Sequence, residues 1–546
     1  MLHPSDTPLE PGRSMDPIPY GVELKFENLR TFEMLNSLYG VENYAQMLFF
    51  FEAQLRRVEY DDYPTPPADV LIVLITLSVL PEFGTTQLVA ELDPYNVTRA
   101  SISSRSLKIL QELAARLRNP KMSNLHSTQL LRSQFFLLLD HINCLTSEPF
   151  MHSMGDPKKR RKTNSGIRIE PTPETNSSEN SRAGYRNPYS AYVSALDQKN
   201  EILKTTVLTT ILSPEGEFWN CVAWALVLSI SEDSHLYERS KLWVPLLTLL
   251  FGLFELQNDF YLGARASCHA SDDISMIQDS PLACLFKSLN SEYLHNAFCD
   301  ILLLGLDYAT GNFTVHPIYH KELKVPVEYA PRNSKVRSLK ILESMHFRHR
   351  LLNLLYAFLR TIPEGEELIE PRVSEAKFIQ SLGLSLSSID NLTQLRQFFA
   401  VYEIGQCLEY MPLIAQATLN ESFLDKNCKP VNLVDNIGGV ESMVGELIEM
   451  FTPSFPPLDS DCDLLPEVLY KLVERCDICL LVILRFWEFV HKSAHLRTRR
   501  SLENLFHAVA ASDKRRQEFI KEMGWHKEDH MMPSLYPHME KILQLI

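Results

Sequence analysis

Two short motifs in the chain place metal-binding or redox-active residues at spacings that such chemistry uses. Cys476 and Cys479 form a single CxxC, and His346 and His349 stand three residues apart in an arginine-containing run. A zinc site needs four ligands and a redox CxxC needs a thioredoxin-like βαβ setting, whereas Cys476 lies in a strongly apolar predicted helix. The arginines beside His349 would repel a cation. We therefore predict packing cysteines at the first motif and a solvated basic helix face at the second.

Motifs that mark enzymes are absent from the sequence. It has no glycine-rich phosphate loop, no dinucleotide-binding fingerprint, no paired-histidine metal helix and no nucleophile elbow. We therefore predict a protein that is not an enzyme, with no catalytic residues, no cofactor and no metal. An enzyme of unfamiliar class stays open as an alternative, which a deep polar pocket with converging titratable groups would support.

A run of five consecutive cations is the sharpest local signal. Its members are Lys158, Lys159, Arg160, Arg161 and Lys162. Nuclear import receptors bind such basic runs, and the same charge density can contact nucleic-acid phosphates. We predict a nuclear-localisation signal, with a nonspecific nucleic-acid contact or simple solubilisation as alternatives. Thr163 and Ser165, beside the run, could accept phosphates that would cancel its charge.

A second basic feature is an amphipathic helix predicted to begin after an N-cap at Thr98 and to end near residue 118. Its apolar residues recur on one side, and its cations lie largely on the other: Arg99, Arg105, Lys108, Arg116 and Arg118. That face could meet DNA or an acidic partner helix. A solvated helix face is the alternative interpretation.

Two apolar runs that begin with an acid, Asp69–Val73 and Asp477–Val482, match the pattern by which extended peptides add a strand to the small modifier SUMO. Both runs fall where the pattern predicts helices, the first over Val70–Leu80 with Asp69 as its cap. Because a buried helix cannot also offer a strand edge, we predict that both runs belong to the core.

The composition favours an all-α protein. The chain has 546 residues, of which 45% are hydrophobic, and at ~100–200 residues per domain this length predicts two or three packed units. Its 19 glycines are about half of the ~7% average usage, which argues against folds with many tight turns. The net charge of −15, from 53 Lys and Arg against 68 Asp and Glu, excludes a globally basic nucleic-acid coat.

The cell compartment also follows from composition. The 10 cysteines are scattered, mostly inside apolar runs, which indicates a reducing compartment. The first twenty residues contain no apolar block that would make a secretory signal. The longest apolar stretches fall short of the ~18–20 residues that span a bilayer. We therefore expect an intracellular protein without a membrane segment.

Shifts in composition divide the chain into an irregular helical stack, without a fixed-length repeat. The predicted segments are a disordered N-terminus over 1–20, an N-terminal helical unit over 21–146, a disordered basic and polar linker over 147–184, a middle helical unit over 185–311, an extended connector over 312–333 and a C-terminal helical unit over 334–546. In the connector, proline alternates with β-branched and aromatic residues, which predicts at most one short hairpin.

Helical periodicity then predicts the main elements of the last two units. They are Ala191–Leu212, Phe218–Ile230, Tyr237–Tyr261, Ser280–Leu306, Ser338–Arg360, Val373–Leu382, Leu392–Tyr410, Val440–Phe451, Leu465–Ser493 and Ser501–Met523.

A colinear set of short segments carries a family resemblance from about residue 31 to 537. The segments are Phe32-Glu33-Met34-Leu35-Asn36-Ser37, Glu42-Asn43-Tyr44, Asp93-Pro94-Tyr95-Asn96 followed by Arg99, Asn187-Pro188-Tyr189 leading to Gln198 and Asn200, Gly216-Glu217-Phe218, Ser280-Pro281-Leu282-Ala283, His316-Pro317-Ile318-Tyr319, Pro371-Arg372, Cys476-Asp477-Ile478-Cys479-Leu480-Leu481-Val482 and Leu535-Tyr536-Pro537. In this order they resemble the budding-yeast-type non-SMC element five family, subunits of the five-six complex of the structural-maintenance-of-chromosomes (SMC) class. The N-terminal thirty residues and the 147–184 linker do not take part in the resemblance.

The resemblance implies a non-enzymatic, all-helical protein that pairs with non-SMC element six. The pair would dock on the SMC five and SMC six ATPase subunits, restrain ATP turnover until DNA is engaged, and promote chromatin loading in DNA repair and recombination. It also implies support of SUMO conjugation through the SUMO ligase machinery of the complex. Contact with DNA would be mainly indirect, and no catalytic residues carry over. The rival interpretation from the residues alone is a nuclear DNA-binding helical module that acts through its basic patches.

Overall fold

The computed structural model describes residues 26–56, 65–84, 100–118, 125–142, 217–266, 274–289, 293–306, 313–315, 318, 327–329, 335–363, 365–368, 372–400, 410–422, 431–434, 440–451, 466–491, 499–523 and 532–543. These residues belong to two compact units. One lies within Met1–Phe218 and Leu256–Ala270, and the other within Trp219–Glu255 and Ser271–Ile546. The predicted all-α class is confirmed.

In the part of the chain that the structure describes, five complete helices belong to the first unit. They are α1 (Phe26–Gly40), α2 (Tyr44–Arg56), α3 (Ala68–Val79), α4 (Ile102–Arg118) and α5 (Leu125–Ile142). All twelve residues of α3 are buried, because the helix is apolar nearly all round and packs against α1, α4 and α5. The prediction of a helix buried on all sides is therefore confirmed.

The sequence predicted that Asp69 caps α3, and this prediction is wrong. The helix begins at Ala68, two residues before the predicted Val70, with Pro67 at the N-cap position and no side-chain cap. The amide of Ala68 instead donates to Gln134 Oε1 of α5 at 3.1 Å. Pro67 precedes the helix in extended conformation. Gln134 of α5 accepts from the buried Ala68 amide, which has no partner within the helix, so Asp69 is not needed as a cap and lies inside the helix.

The remaining helices of the described residues lie wholly or largely in the second unit. They are α6 (Glu217–Ser229), α7 (Ser234–Ala266), whose residues from Leu256 belong to the first unit, α8 (Ile274–Gln278), α9 (Pro281–Lys287), α10 (Leu294–Leu302), α11 (Lys335–Leu359), α12 (Glu375–Ser387), α13 (Leu392–Ala400), α14 (Met411–Ser422), α15 (Val440–Phe451), α16 (Pro466–His491), α17 (Arg499–Glu522) and α18 (Tyr536–Leu543). Helix α14 packs against both α12 and α16, and α18 packs against α16 and α17.

An aromatic cluster joins helices of the second unit. Phe286 of α9 lies 5.6 Å from Trp219, 5.9 Å from Phe298 and 5.2 Å from Phe358, measured between ring centroids. Phe298 continues the cluster to Phe378 of α12 at 5.9 Å. The edge-to-face and stacked rings therefore connect helices that are far apart in sequence.

In the second unit, one predicted helix is divided in the structure, and helices occur that were not predicted. The single helix predicted over Ser280–Leu306 is two helices, α9 and α10, with Ser280 capping α9 through its bond from the amide of Ala283. Helices α14 and α18 were not predicted. Each has a proline at its second residue. A proline in the sequence suggests the end of a helix, but the first turn of a helix tolerates one. The predicted helix Ala191–Leu212 lies outside the described residues.

The described part of the connector contains an antiparallel hairpin, within the predicted limit of at most one short hairpin. Strand β1 (Phe313–Val315) pairs with β2 (Val327–Tyr329) in the register Phe313 to Tyr329 and Val315 to Val327. Val315 is fully buried. The predicted 147–184 linker lies outside the described residues.

Candidate interaction surfaces

The predicted basic face of α4 is partly engaged within the first unit. Arg105 donates from Nε to Glu52 Oε1 at 2.8 Å and from Nη2 to Glu52 Oε2 at 3.0 Å. This two-bond pair ties α4 to α2, and its two side chains are largely buried. Arg116 donates to the carbonyl of Leu55 at 3.4 Å. Both guanidinium groups therefore have partners in this unit.

The other predicted members of the basic face are placed differently. Lys108 is exposed and lies 3.9 Å from Glu112 one turn along the helix, and Arg118 is exposed at the last residue of α4. Thr98 and Arg99 lie outside the described residues. At the start of the helix, Ser101 Oγ accepts from the amide of Ser104 at 3.2 Å, so this serine acts as an N-terminal cap.

The basic run of Lys158, Lys159, Arg160, Arg161 and Lys162 lies outside the described residues. The nuclear-localisation prediction therefore rests on the sequence alone.

The CxxC of α16 is a packing motif, as predicted. Cys476 and Cys479 are fully buried and free. Burial raises the pKa of the Cys476 thiol and raises the pKa of Cys479 to about 12, so neither forms the thiolate that metal binding or redox attack needs. No cluster of three metal-binding side chains occurs among the described residues. Both SUMO-like runs lie in buried helix, α3 and α16, as predicted.

The prediction of a solvated basic face around His349 is wrong. His346 is exposed, but His349 is buried, and its Nε2 lies 2.7 Å from the carbonyl of Phe398. Burial, opposed by this hydrogen bond, lowers the pKa of His349 to about 4. The ring is therefore neutral at physiological pH, with Nε2–H donating to the carbonyl.

The arginines of the same run are held inside the second unit. Arg348 is fully buried and donates to the carbonyls of Leu302 and Leu304 and to Ser344 Oγ. Arg350 binds both carboxylate oxygens of Glu255, at 2.5 and 2.6 Å. Successive side chains of a helix point about 100° apart, so neighbouring cations reach different partners, and carbonyls at the end of α10 satisfy Arg348.

A second buried charge cluster, which sequence reasoning missed, holds the last described segment. Asp513 Oδ2 accepts from Ser534 Oγ at 2.7 Å and from the amide of Tyr536 at 3.0 Å. Arg516 donates to the carbonyl of Pro533 at 3.3 Å and to Asp477. The cluster fastens the start of α18 to α16 and α17, which is a structural role.

Large apolar side chains are exposed at a few positions of the described chain. In the first unit they are Met34, Val41 and Phe49, and in the second Tyr293, Leu342, Leu384 and Val468. The sequence carried a signal for Phe49 alone in the first unit, since Met47–Phe51 is five apolar residues in succession and one buried helix face accommodates only some of them.

No helix within the described residues combines the length and apolar composition that crossing a bilayer requires.

Comparison with known proteins identifies a family to which the chain is similar. The model of the family described as DNA repair proteins Nse5 and Nse6 matches residues 3–517. Non-structural maintenance of chromosome element 5 of Saccharomyces cerevisiae is 32% identical over 532 residues, which cover 95% of this chain and 94% of the relative.

Proposed function

The chain belongs to the family of DNA repair proteins Nse5 and Nse6, and from that premise we propose that it is a subunit of the SMC five-six complex that acts in DNA repair and recombination. The observation that carries the proposal is the 32% identity to a chromosome-maintenance element over 95% of the chain. The similarity extends over nearly the whole chain, so it supports the proposal for the chain as a whole.

We propose further that the chain pairs with non-SMC element six, docks on the SMC five and SMC six ATPase subunits and makes or breaks no bond itself. A partner that binds one conformation of an ATPase more tightly biases the cycle by that difference in affinity. Restraint of ATP turnover and promotion of chromatin loading need only such a surface. Support of SUMO conjugation would follow from the same role, by holding the ligase machinery near its targets.

The proposed compartment is the nucleus. The basic run Lys158–Lys162 supports this proposal independently of the family, because import receptors bind such runs. Contact with DNA is proposed to be mainly indirect.

The experiment is affinity purification of the tagged full chain from nuclear extract, followed by ATPase assay. Recovery of non-SMC element six with the SMC ATPases, and a lower ATP turnover of the five-six complex when purified chain is added without DNA, are the expected results. Absence of the ATPases from the purified material would defeat the proposal. If the added chain does not change the rate of ATP turnover, its role would be limited to assembly of the complex.

The rival DNA-binding module receives less support from the structure. Arg105 is paired with Glu52, and Arg116 is bonded to a carbonyl, so two of the predicted phosphate-binding cations already have partners. Steep loss of DNA affinity with added salt, measured on the purified chain, would favour the rival. No binding at physiological salt would remove it.

A further inference from the structure

Ser534 stands on the surface of the second unit, two residues before α18 begins. Its side chain is exposed, and it lies in the stretch 532–535, which is neither helix nor strand. Ser534 Oγ donates to Asp513 Oδ2 of α17 at 2.7 Å. An exposed hydroxyl in an irregular segment is accessible to an enzyme that modifies serine.

The carboxylate that binds this hydroxyl also holds the first residue of α18. Asp513 Oδ2 accepts from the amide of Tyr536 at 3.0 Å, and amides in the first turn of a helix have no partner within the helix. Asp513 therefore acts on α18 as a capping side chain does, from a neighbouring helix. Because the same oxygen accepts from Ser534, a chemical change at the serine hydroxyl acts directly on the start of α18.

Helix α18 depends on its contacts with the rest of the unit. It has eight residues, fewer than the about 12–15 that an isolated helix needs to be stable in water. Leu535 and Met539 are fully buried, where α18 packs against α16 and α17. Loss of the bonds at its start therefore weakens the helix as well as its attachment.

The chain just before Ser534 is held by other bonds. Gln517 Nε2 donates to the carbonyl of Met532 at 3.1 Å, and Arg516 Nη1 donates to the carbonyl of Pro533 at 3.3 Å. Neither bond involves the serine hydroxyl. Helix α18 can therefore leave its place while residues 532 and 533 stay bound to α17.

Two cations close to Asp513 in sequence are engaged with acids. Arg516 is fully buried, and its Nη1 lies 3.4 Å from Asp513 Oδ1. Lys514 is exposed and lies 3.6 Å from Glu518. An anion added at the surface on Ser534 would therefore meet the Asp513 carboxylate at close range, while the guanidinium of Arg516 stays buried.

We propose that Ser534 is a phosphorylation site and that its phosphorylation releases α18 from α16 and α17. The modifying enzyme is an ATP-dependent protein serine kinase. Ser534 Oγ attacks the γ-phosphorus of ATP, the bond from that phosphorus to the β–γ bridging oxygen breaks, ADP leaves, and a base of the kinase takes the hydroxyl proton. The phosphoserine has no hydroxyl hydrogen to donate to Asp513, and it carries about −1.5 to −2 charge at pH 7. Repulsion between the two anions moves Asp513 away from the amide of Tyr536.

Release of α18 would uncover apolar surface. The side chains of Leu535 and Met539, and the surfaces of α16 and α17 that they cover, would become accessible to another protein. Phosphorylation would thus control whether this part of the second unit is available for binding. The inference does not depend on the proposed function, because it concerns contacts within the chain.

The test introduces phosphoserine at position 534 of the full chain through an expanded genetic code, which requires no kinase. Amide hydrogen exchange of α18, followed by mass spectrometry, should be at least about tenfold faster in Ser534→phosphoserine than in the unmodified chain, because two hydrogen bonds to a carboxylate are lost. Exchange of α12 and α14 should stay unchanged. Ser534→Glu adds a single charge and is the second variant, which should act in the same direction.

Three control variants separate local repulsion from a general effect of charge. Ser37→phosphoserine adds the same charge to an exposed hydroxyl of α1 that donates to the carbonyl of Glu33, and it should leave the exchange of α18 unchanged. Asp513→Asn keeps an oxygen that can accept from the amide of Tyr536 but removes the negative charge, so phosphoserine at position 534 should speed the exchange less in this background. Ser534→Ala removes the hydroxyl without adding charge and should have a smaller effect than the phosphate.

Mass spectrometry of the tagged full chain, purified from growing cells and from cells with damaged DNA, should find phosphate on Ser534. A Ser534 without phosphate in all of these samples would overturn the modification site. Unchanged or slower exchange of α18 in both Ser534→phosphoserine and Ser534→Glu would overturn the release. Equally fast exchange throughout the second unit, or the same effect from Ser37→phosphoserine, would overturn it too, because the charge would then act on the fold in general.

Discussion

Arg516 binds both carboxylate oxygens of Asp477 in the interior of the second unit, with Nη1 3.0 Å from Oδ2 and Nη2 2.9 Å from Oδ1. The Arg516 side chain is fully buried. Burial raises the pKa of Asp477 to about 6, and the charge of Arg516 opposes that rise. Neither side chain can be solvated by water at this position, so each charge is stabilised by the opposite charge of its partner.

Removal of one ion of this pair should therefore destabilise the second unit strongly. Arg516→Met leaves Asp477 and Asp513 without their cation, and we expect a loss of about 3–5 kcal/mol in the free energy of unfolding. Urea denaturation monitored by circular dichroism measures the loss. Lys514→Met, an exposed position on the same helix, is the matched control and should stay within about 0.5 kcal/mol. Equal stability of the two variants would show that the pair contributes nothing.

Gly383 marks the closest approach of α12 and α14. A Cβ added there would lie 2.6 Å from Ala417 Cβ and 2.9 Å from the amide nitrogen of Thr418. Backbone at that distance cannot give way as a flexible side chain would, so Gly383→Ala should cost about 1–3 kcal/mol. Gly445→Ala is the control, since nothing lies within 4 Å of its added Cβ. It should stabilise its helix by about 0.5–1 kcal/mol. Melting curves that show stabilisation by both substitutions would contradict the close approach.

Sequence patterns predicted elements whose environment follows from their own residues. Helix α3 is apolar on every side, and its burial needed no knowledge of neighbours. The loss of helical periodicity in the connector followed from alternating residues and prolines, which allowed at most one short hairpin there. Helix α15 was predicted with its observed bounds, since its apolar face and its ends are local features.

These local patterns could not predict which charged side chains are buried, because their burial depends on hydrogen-bond acceptors that are distant in sequence. Arg516 meets an aspartate 39 residues away, and Arg348 meets carbonyls 44 and 46 residues away. Nothing beside either arginine distinguishes it from a solvated one. For Phe49 the signal was local, a surplus of apolar residues on one short helix, although only the packing shows which of them stays exposed.

Asp69 should make stability depend on pH. Its side chain is buried, Oδ1 accepts from the amide of Val70 and Oδ2 has no hydrogen-bond partner. Burial raises the pKa of Asp69 to about 6, so the folded chain holds a proton that the unfolded chain has released. The stabilising contribution is present below pH ~4, the unfolded pKa, and is lost as pH rises through about 6.

Asp69→Asn removes this titration. We expect the variant to be more stable than the natural chain at pH 7.5 by about 3 kcal/mol, since the pKa of Asp69 is raised from 3.8 to about 6 and each pKa unit corresponds to ~1.4 kcal/mol. The advantage should shrink toward pH 4. Urea denaturation at a series of pH values checks both expectations, and Asp233→Asn, an exposed aspartate, is the control. A variant whose advantage is the same at pH 4 and pH 7.5 would show that Asp69 does not titrate in this range.

The run Lys158–Lys162 should direct the chain to the nucleus. Replacement of all five cations by alanine removes the charge that an import receptor binds, and we expect a fluorescent fusion of the full chain to lose its nuclear accumulation. Microscopy of living cells measures the nuclear to cytoplasmic ratio. The control replaces Lys108 and Arg118, which are exposed cations of α4, and it should leave the ratio unchanged. An unchanged ratio in the five-alanine variant would mean that a bound partner carries the chain into the nucleus and that the run serves another purpose.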